Sequence, residues 1–171
     1  MKKLWKILPN VSLVLGLLAF VAIFFPALVN EDGETLINGL KATFGGELSS
    51  FVIGTTPIVN ATAQLSFANV LAFTLPLLVA ISVFVVRDML KMKGWMSSLL
   101  KVGLFAAFLL SFILFLNLAN NTTYIISIFD NDIHGDFANA SLTIGPILGL
   151  IFTSMGILST GVELALPFVK K

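Results

Sequence analysis

Four long apolar stretches constrain the fold of this chain more than any other feature. They cover about residues 9–29, 68–86, 97–119 and 143–168, and a helix needs roughly 20 apolar residues to cross a bilayer. Charged residues make up 11% of the chain, against about 25% in an average soluble domain. The pattern predicts one membrane domain over residues 1–171, with an all-α four-helix bundle of four spans.

Basic residues cluster on one side of the predicted spans, as they do in the cytoplasmic segments of membrane proteins. Lys41 is the exception among the ten Lys and Arg residues. The others lie near span ends that would share one side: Lys2, Lys3, Lys6, Arg87, Lys91, Lys93, Lys101, Lys170 and Lys171. This distribution predicts a plasma-membrane protein with cytoplasmic N- and C-termini and with loops 30–67 and 120–142 outside the cell.

The first outer loop shows the alternation typical of β-strands. Leu40, Ala42 and Phe44 alternate with polar or small residues, which is the period of a half-buried strand. Segments 50–56 and 61–67 have a similar pattern, and the latter leads into the second span. Three or more short strands are needed for a stable sheet. The loop therefore predicts a small extracellular antiparallel β-sheet cap on the bundle.

The second outer loop allows one more strand at either end. Segments 122–129 and 138–144 are rich in residues of high β-propensity. A strand from this loop could pair with the first-loop sheet and cover an exposed edge. We therefore expect both loops to contribute to the cap.

Short ends, a large β-forming first loop and a smaller second loop make the chain similar in topology to claudins and related tetraspan proteins. The Trp-Gly-Leu-Trp run and the Cys pair of the claudin first loop do not occur in it. Its segments LINGLKATFGG and LTIGPILGLIFTSMG also resemble those of uncharacterised small four-span membrane proteins of low-GC bacteria, through Gly39, Phe44, Gly45, Gly145 and Gly149. These resemblances imply a claudin-like architecture in a bacterial membrane, and they imply no activity.

Lys101 and Glu163 are ionisable residues inside predicted spans. A charge inside a membrane is costly and is a functional candidate by default. In antiparallel neighbouring helices the two side chains could form an intramembrane ion pair of structural importance. Two alternatives are that Lys101 extends to the lipid headgroups and that the charges serve ion or proton movement.

Glycine and proline residues within the spans predict how the helices pack. Gly145, Gly149 and Gly156 share one face of the fourth span, and such a face lets helix backbones approach closely. Packing within the bundle is expected, and a seam between copies is the alternative. Pro76 lies inside the second span, where it frees a backbone carbonyl and favours a kink.

The segment DNDIHGD is the one cluster rich in metal-ligating residues. Asp130, Asp132 and His134 occupy positions one, three and five of a calcium-loop pattern, and Gly135 occupies position six. Ser141 stands at position twelve, where that pattern has a Glu. The segment predicts a solvated acidic turn, with weak divalent-cation binding as the alternative.

The sequence lacks the motifs of the common enzyme classes. It has no cysteine, a single histidine, and no nucleotide-binding loop or nucleophile elbow. No cofactor and no nucleic acid partner are expected.

We predict a non-enzymatic scaffold, adhesion or interaction protein whose partners are the lipid bilayer and a second copy or another membrane protein. Contact would be made by edge pairing or by Phe44, Phe51 and Ile53, and the alternative is a channel or an accessory subunit of a transport or secretion complex.

Overall fold

The computed structural model describes the backbone of residues 4–53, 56–86, 95–129 and 131–169. The α-helices in these ranges are α1 (Leu4–Val21), α2 (Gly39–Phe44), α3 (Phe67–Phe84), α4 (Trp95–Leu116) and α5 (Ile144–Val169). A 3-10 turn at Ala22–Phe24 extends α1. The strands are β1 (Pro26–Val29), β2 (Thr35–Asn38), β3 (Gly46–Ile53), β4 (Thr56–Ala63), β5 (Thr123–Ile128), β6 (Asn131–Asp136) and β7 (Ser141–Leu142).

Three helices are long and apolar enough to cross a membrane. The qualifying stretches are Phe67–Phe84, Ser98–Leu116 and Ile144–Ala165, with mean hydropathies of 2.2, 2.5 and 1.7. In the described part of the chain, the apolar stretch of the first helix, Asn10–Phe24, is shorter than the usual spanning length of roughly 17–25 residues. By length and composition these three helices suit a membrane location.

The four long helices pack side by side as a bundle. Helices α1 and α4 each contact both α3 and α5. The core in the half of the bundle away from the sheets consists of Leu15, Ala80, Val83, Leu104 and Phe108. Outward-facing side chains such as Leu78, Leu99 and Leu158 are apolar and exposed. Helices that are apolar on every side match a lipid environment better than water.

Two small antiparallel sheets cover one end of the bundle, and we refer to them together with α2 as the cap. Sheet A has the strand order β2-β1-β7, and sheet B has the order β3-β4-β5-β6. Each sheet combines strands from both loops, because β1 pairs with β7 and β4 pairs with β5. The expectation that a second-loop strand joins a first-loop sheet is confirmed, but the strands form two sheets and not one.

The cap and the bundle share one hydrophobic core. In it, the rings of Phe73 and Phe115 meet edge to face with their centroids 4.8 Å apart. The other buried members come from the 3-10 turn after α1, from α2, from the sheets and from the long helices or the residues next to them: Ala22, Ile23, Ala27, Leu28, Ile37, Ala42, Ala63, Ala72, Leu118 and Ala119. Because one core joins the two parts, the cap is packed directly on the bundle.

The predicted first strand of the outer loop is wrong, because residues 40–45 belong largely to the helix α2. Asn38 Oδ1 accepts a hydrogen bond from the backbone N–H of Lys41 over 2.9 Å and so caps the start of this helix. Gly45 ends it in a left-handed conformation with φ 78°. Alternation over six residues did not distinguish a strand from a short helix with one buried face.

The first apolar stretch leaves its helix earlier than the predicted limit at residue 29. Residues 26–29 form β1, which lies between β2 and β7 in sheet A. Ala27 and Leu28 are fully buried there, so their apolar character reflects the core of the cap and not a lipid contact. Helices α3, α4 and α5 occupy the positions of the other three predicted spans.

The predicted strand at 61–67 is also shorter than expected. Strand β4 ends at Ala63, and Ser66 caps α3 by accepting a hydrogen bond at its Oγ from the N–H of Asn69 over 3.3 Å. A serine followed by an apolar run is a helix-start signal, which here takes precedence over the strand-like alternation.

Candidate functional site

A buried asparagine fastens the cap to the bundle. Asn69, in the first turn of α3, donates hydrogen bonds from Nδ2 to the carbonyl oxygen of Ala42 over 2.7 Å and to Thr122 Oγ1 over 2.9 Å. Thr122 Oγ1 in turn donates to the carbonyl oxygen of Leu118 over 2.7 Å. The side-chain amide of Asn69 thus connects both outer loops with α3 and, through Thr122, with the end of α4. These hydrogen bonds hold the cap in a fixed position on the bundle.

Strand β6 forms one edge of sheet B. It pairs with β5 in a regular antiparallel ladder from Thr123↔Asp136 to Ile128↔Asn131, without a register shift. The residues of β6 are exposed except for Gly135. At the other edge of the sheet, the pairing of β3 with β4 is interrupted by two register shifts. Strand β6 is therefore the more regular edge of the sheet.

Two exposed apolar side chains accompany this edge. Phe129, directly after β5, has a left-handed backbone conformation with φ 46°, and its side chain is 73% exposed. Ile133 in β6 is 54% exposed. Sequence analysis missed both residues. The signal that could have identified them is the single apolar residue among polar ones in NDIHGD, next to the strand-like TTYIISIF.

The predicted interaction surface of Phe44, Phe51 and Ile53 is only partly described. Phe44, at the end of α2, is 54% exposed. Phe51 and Ile53 belong to β3, but their side chains lie outside the described residues. These three positions stay a prediction, and they lie on elements other than β6.

A cleft opens between the two sheets, with a volume of about 590 Å³. Sheet A contributes Leu36 and the turn after β1, including Glu31. Sheet B contributes the face that carries Tyr124 and Ile126. The segment between β6 and β7 contributes Phe137, Asn139 and Ala140. The cleft therefore combines residues from both loops and depends on the assembled cap.

An aromatic pair stands in this cleft. The rings of Tyr124 and Phe137 lie edge to face with their centroids 4.9 Å apart. The Tyr124 ring also lies over Gly135, where an added Cβ would collide with ring carbon Cζ and would lie 2.5 Å from the hydroxyl oxygen. Gly135 therefore leaves the space that this ring occupies.

The structure brings Lys101 and Glu163 together between α4 and α5. Lys101 Nζ lies 3.9 Å from Glu163 Oε2, and the side chains are 20% and 4% exposed. A buried carboxylate needs a compensating charge, because its transfer out of water is costly. The geometry fits the ion pair that the sequence suggested.

The three glycines of the fourth span face residues of the same chain. An added Cβ at Gly149 would lie 2.5 Å from Phe115 Cζ, and one at Gly156 would collide with the Phe108 ring. One at Gly145 would lie 2.8 Å from the carbonyl oxygen of Pro26. These contacts correspond to packing within the bundle, since each glycine is already covered.

The predicted acidic turn at 130–136 is wrong, because residues 131–136 form β6. Asp132 and His134 lie on one face of this strand, and Asp132 Oδ1 accepts a hydrogen bond from Ser127 Oγ over 2.6 Å. Asp130 lies outside the described residues, so the three-residue metal candidate stays untested. Among the described residues, no group of three or more His, Cys, Asp or Glu side chains could hold a metal ion.

Of the nine basic residues behind the predicted orientation, Lys101 is described and the backbone of Lys6 lies in α1, whereas the other seven lie outside the described residues. No family model, no curated protein and no solved structure matches the chain.

Proposed function

We propose that this chain is a non-enzymatic integral membrane protein that binds a partner protein through its cap, outside the cell. In this proposal α1, α3, α4 and α5 span the plasma membrane, and both termini are cytoplasmic. The apolar character of three helices and the distribution of Lys and Arg support it. With its 3-10 turn, α1 is helical over residues 4–24, or roughly 30 Å, which matches the hydrocarbon core of a bilayer.

Among the described residues, no strand pairs with the outer side of β6, and this open edge is the observation that carries partner binding. An edge strand presents a row of backbone N–H and C=O groups that can pair with another extended chain. Proteins usually protect such edges with bulges, prolines or charged side chains, especially lysines. The β5–β6 ladder has no bulge, and β6 contains neither Pro nor Lys; its charges are those of Asp132 and Asp136. This edge is open to a strand whose charges complement these two residues.

The side chains beside the edge favour a contact there. Phe129 keeps a left-handed conformation, which costs a non-glycine residue on the order of 1–3 kcal/mol. Aromatic side chains are enriched at protein interfaces and often supply much of the binding energy. Phe129 and Ile133 would therefore anchor a partner that pairs with β6.

Acidic residues define the chemistry of that partner. Asp132 and Asp136 lie on the same face of β6, separated by His134. Opposite charges directly across a strand pair stabilise it, whereas like charges destabilise it. We expect the partner segment to be extended and to carry Lys or Arg at two positions four residues apart, opposite Asp132 and Asp136.

Site-specific crosslinking tests this function. The chain has no cysteine, so His134→Cys provides a unique attachment point on β6 for a maleimide–benzophenone crosslinker. The matched control is Asp32→Cys, in the exposed turn between β1 and β2. After illumination in native membranes, mass spectrometry should find a protein adduct at position 134 that is missing at position 32. Equal recovery at both positions, or none at 134, would contradict the proposal.

Maleimide labelling of intact cells tests the proposed orientation. A membrane-impermeant maleimide should label Asp32→Cys in intact cells. It should label Ser98→Cys, an exposed position near the other end of the bundle, only after the membrane is made permeable. The reverse pattern would place the cap in the cytoplasm.

The channel alternative receives no support from the bundle of one copy. Phe73, Phe108 and Phe115 are fully buried and fill space between the described helices. An accessory subunit of a larger complex would use an external surface such as β6, and the crosslinking experiment would identify that complex.

A further inference from the structure

We propose that α2 and the segment leading into α3 lie in the bilayer, in the leaflet next to the cap, where their exposed side chains contact lipid acyl chains. This inference rests on the membrane spans of the proposed function and adds a lipid contact made by the cap itself. The side chains are those of Leu40, Phe44, Leu65 and Phe67, all of which are exposed. We refer to these four residues as the apolar patch.

The apolar patch is continuous across two elements. Its two members in α2 are four residues apart, so they share one side of this helix. The N–H of Ser66 donates a hydrogen bond to the carbonyl oxygen of Thr43 over 3.0 Å. This bond places the residues on both sides of Ser66 beside the end of α2. The four side chains therefore belong to one surface, and large exposed apolar surfaces mark contacts with a protein or a membrane.

Helix α2 has its small residues inside and its large apolar residues outside. Gly39, Ala42 and Thr43 are buried, whereas Leu40 and Phe44 are exposed. A helix on a water-exposed surface carries charged and polar residues on its outer side. Small residues at the packed side are typical of helices within a membrane, where close approach of the backbones stabilises the packing. The outer side of α2 therefore suits lipid better than water.

The contacts of α2 place it at the level where the apolar helices end. Asn69, in the first turn of α3, bonds to the carbonyl oxygen of Ala42. An added Cβ at Gly39 would collide with the carbonyl oxygen of Ile23, near the end of the apolar stretch of α1. The apolar stretch of α3 has 18 residues, or roughly 27 Å, close to the hydrocarbon core of about 30 Å. Because Phe67 begins this stretch, α2 lies at the boundary of that core.

The apolar patch also continues the exposed side of α3, which identifies lipid as its occupant. Phe67 is 76% exposed, and the exposed Leu71 and Leu78 follow about one and three turns further along the same side. Lys41, between the two patch residues of α2, donates a hydrogen bond from Nζ to the carbonyl oxygen of Glu47 in β3 over 2.6 Å. Its charge is thereby held on the cap. The patch and the outer side of α3 form one uncharged surface.

Fluorescence quenching by brominated lipids tests this contact, because bromine quenches a tryptophan only at close range. Trp5 and Trp95 are the only tryptophans of the chain, so replacing both with Phe gives a full-length background. Phe44→Trp in this background is reconstituted in phosphatidylcholine vesicles with bromines near the headgroup end or near the terminal end of the acyl chains. We expect it to lose most of its fluorescence to the first lipid and less to the second. Phe67→Trp repeats the measurement with an independent variant.

Two further variants in the same background serve as controls. Phe129→Trp should keep its fluorescence with either lipid. Phe129 is exposed like Phe44, but it lies five residues along β5 from the Ala63↔Tyr124 pair, roughly 17 Å from the start of the strand ladder near α3. Leu78→Trp, near the middle of α3, should be quenched most by the bromines near the terminal end of the chains.

The controls separate a failure of this inference from a failure of the proposed function. Equal fluorescence of Phe44→Trp and Phe129→Trp in both lipids, with Leu78→Trp quenched, would overturn the lipid contact. It would place α2 in water or against another protein chain, as the sequence predicts for Phe44. Absence of quenching at Leu78→Trp would contradict the span of α3, and with it both proposals. Partner crosslinking at β6 affects none of these results.

Discussion

Ser111 Oγ in α4 donates a hydrogen bond to the carbonyl oxygen of Ala72 in α3 over 2.7 Å. Pro76 lies four residues after Ala72 and has no N–H, so the normal helical bond to this carbonyl is missing. An unsatisfied carbonyl in lipid costs several kcal/mol. Ser111 supplies the missing donor from the neighbouring helix, so the proline in α3 and the serine in α4 depend on each other.

Ser111→Ala should lower the free energy of unfolding by about 1 kcal/mol, as expected for an interhelical hydrogen bond in a membrane protein. Reversible unfolding in mixed micelles measures this change. The control is Ser82→Ala, because Ser82 Oγ donates only within its own helix, to the carbonyl oxygen of Leu78 over 2.9 Å. Equal losses in the two variants would show that the interhelical bond makes no separate contribution.

Asn69→Ala should destabilise the protein by about 2 kcal/mol, because the substitution leaves the buried carbonyl of Ala42 without its side-chain donor. The cap should also become easier to cleave in limited proteolysis, since both loops lose their common attachment. The control is Asn117→Ala, which removes an exposed bond from Nδ2 to the carbonyl oxygen of Ile113. A cap that resists proteolysis equally in both variants would argue against the fastening role.

Reversing the charges of Lys101 and Glu163 should reveal their coupling. Lys101→Glu or Glu163→Lys alone should reduce the yield of folded protein, because breaking a buried pair costs about 3 kcal/mol. The double variant, with the two charges exchanged, should recover much of the yield. Size-exclusion chromatography in detergent measures the folded fraction. A double variant no better than the single ones would mean that the two charges act separately.

Gly149→Ala should lower stability by about 1–3 kcal/mol, because its Cβ would press against the ring of Phe115. The oligomeric size in detergent should stay unchanged. Gly103→Ala in α4 is the control, since a Cβ there meets nothing within 4 Å and alanine favours a helix. A change of oligomeric size at unchanged stability would instead identify the glycine face as a seam between copies.

The helices were more predictable than the functional surfaces. Apolar runs located α3, α4 and α5, and the paired positions of Lys101 and Glu163 followed from the antiparallel arrangement of α4 and α5. The acidic residues of DNDIHGD suggested a turn. Residues 131–136 nevertheless form β6, because each of them pairs with a residue of β5. Because this segment was predicted to be a turn and not an edge strand, the exposed side chains of Phe129 and Ile133 were not identified as a surface.

The cleft could not be predicted, because no local pattern describes it. Its lining comes from the turn after β1, from β2 to β6 and from the segment after β6, which are distant in sequence. Likewise, the alternation of residues 40–45 fits both a strand and a short helix. The hydrogen bond that Asn38 Oδ1 accepts from the N–H of Lys41 favours the helix. Whether such a segment forms a strand or a helix depends on individual hydrogen bonds, which the periodicity of apolar residues does not reveal.

The sequence by itself determined where the long apolar helices lie, because hydrophobic length is a property of consecutive residues. It also indicated that both loops would form strands. Only the tertiary structure decided which strands pair, that they form two sheets with a cleft between them, and that β6 is an edge strand in the described part of the chain. These features arise from contacts between residues far apart in the chain, such as Ala63 with Tyr124 and Leu28 with Leu142.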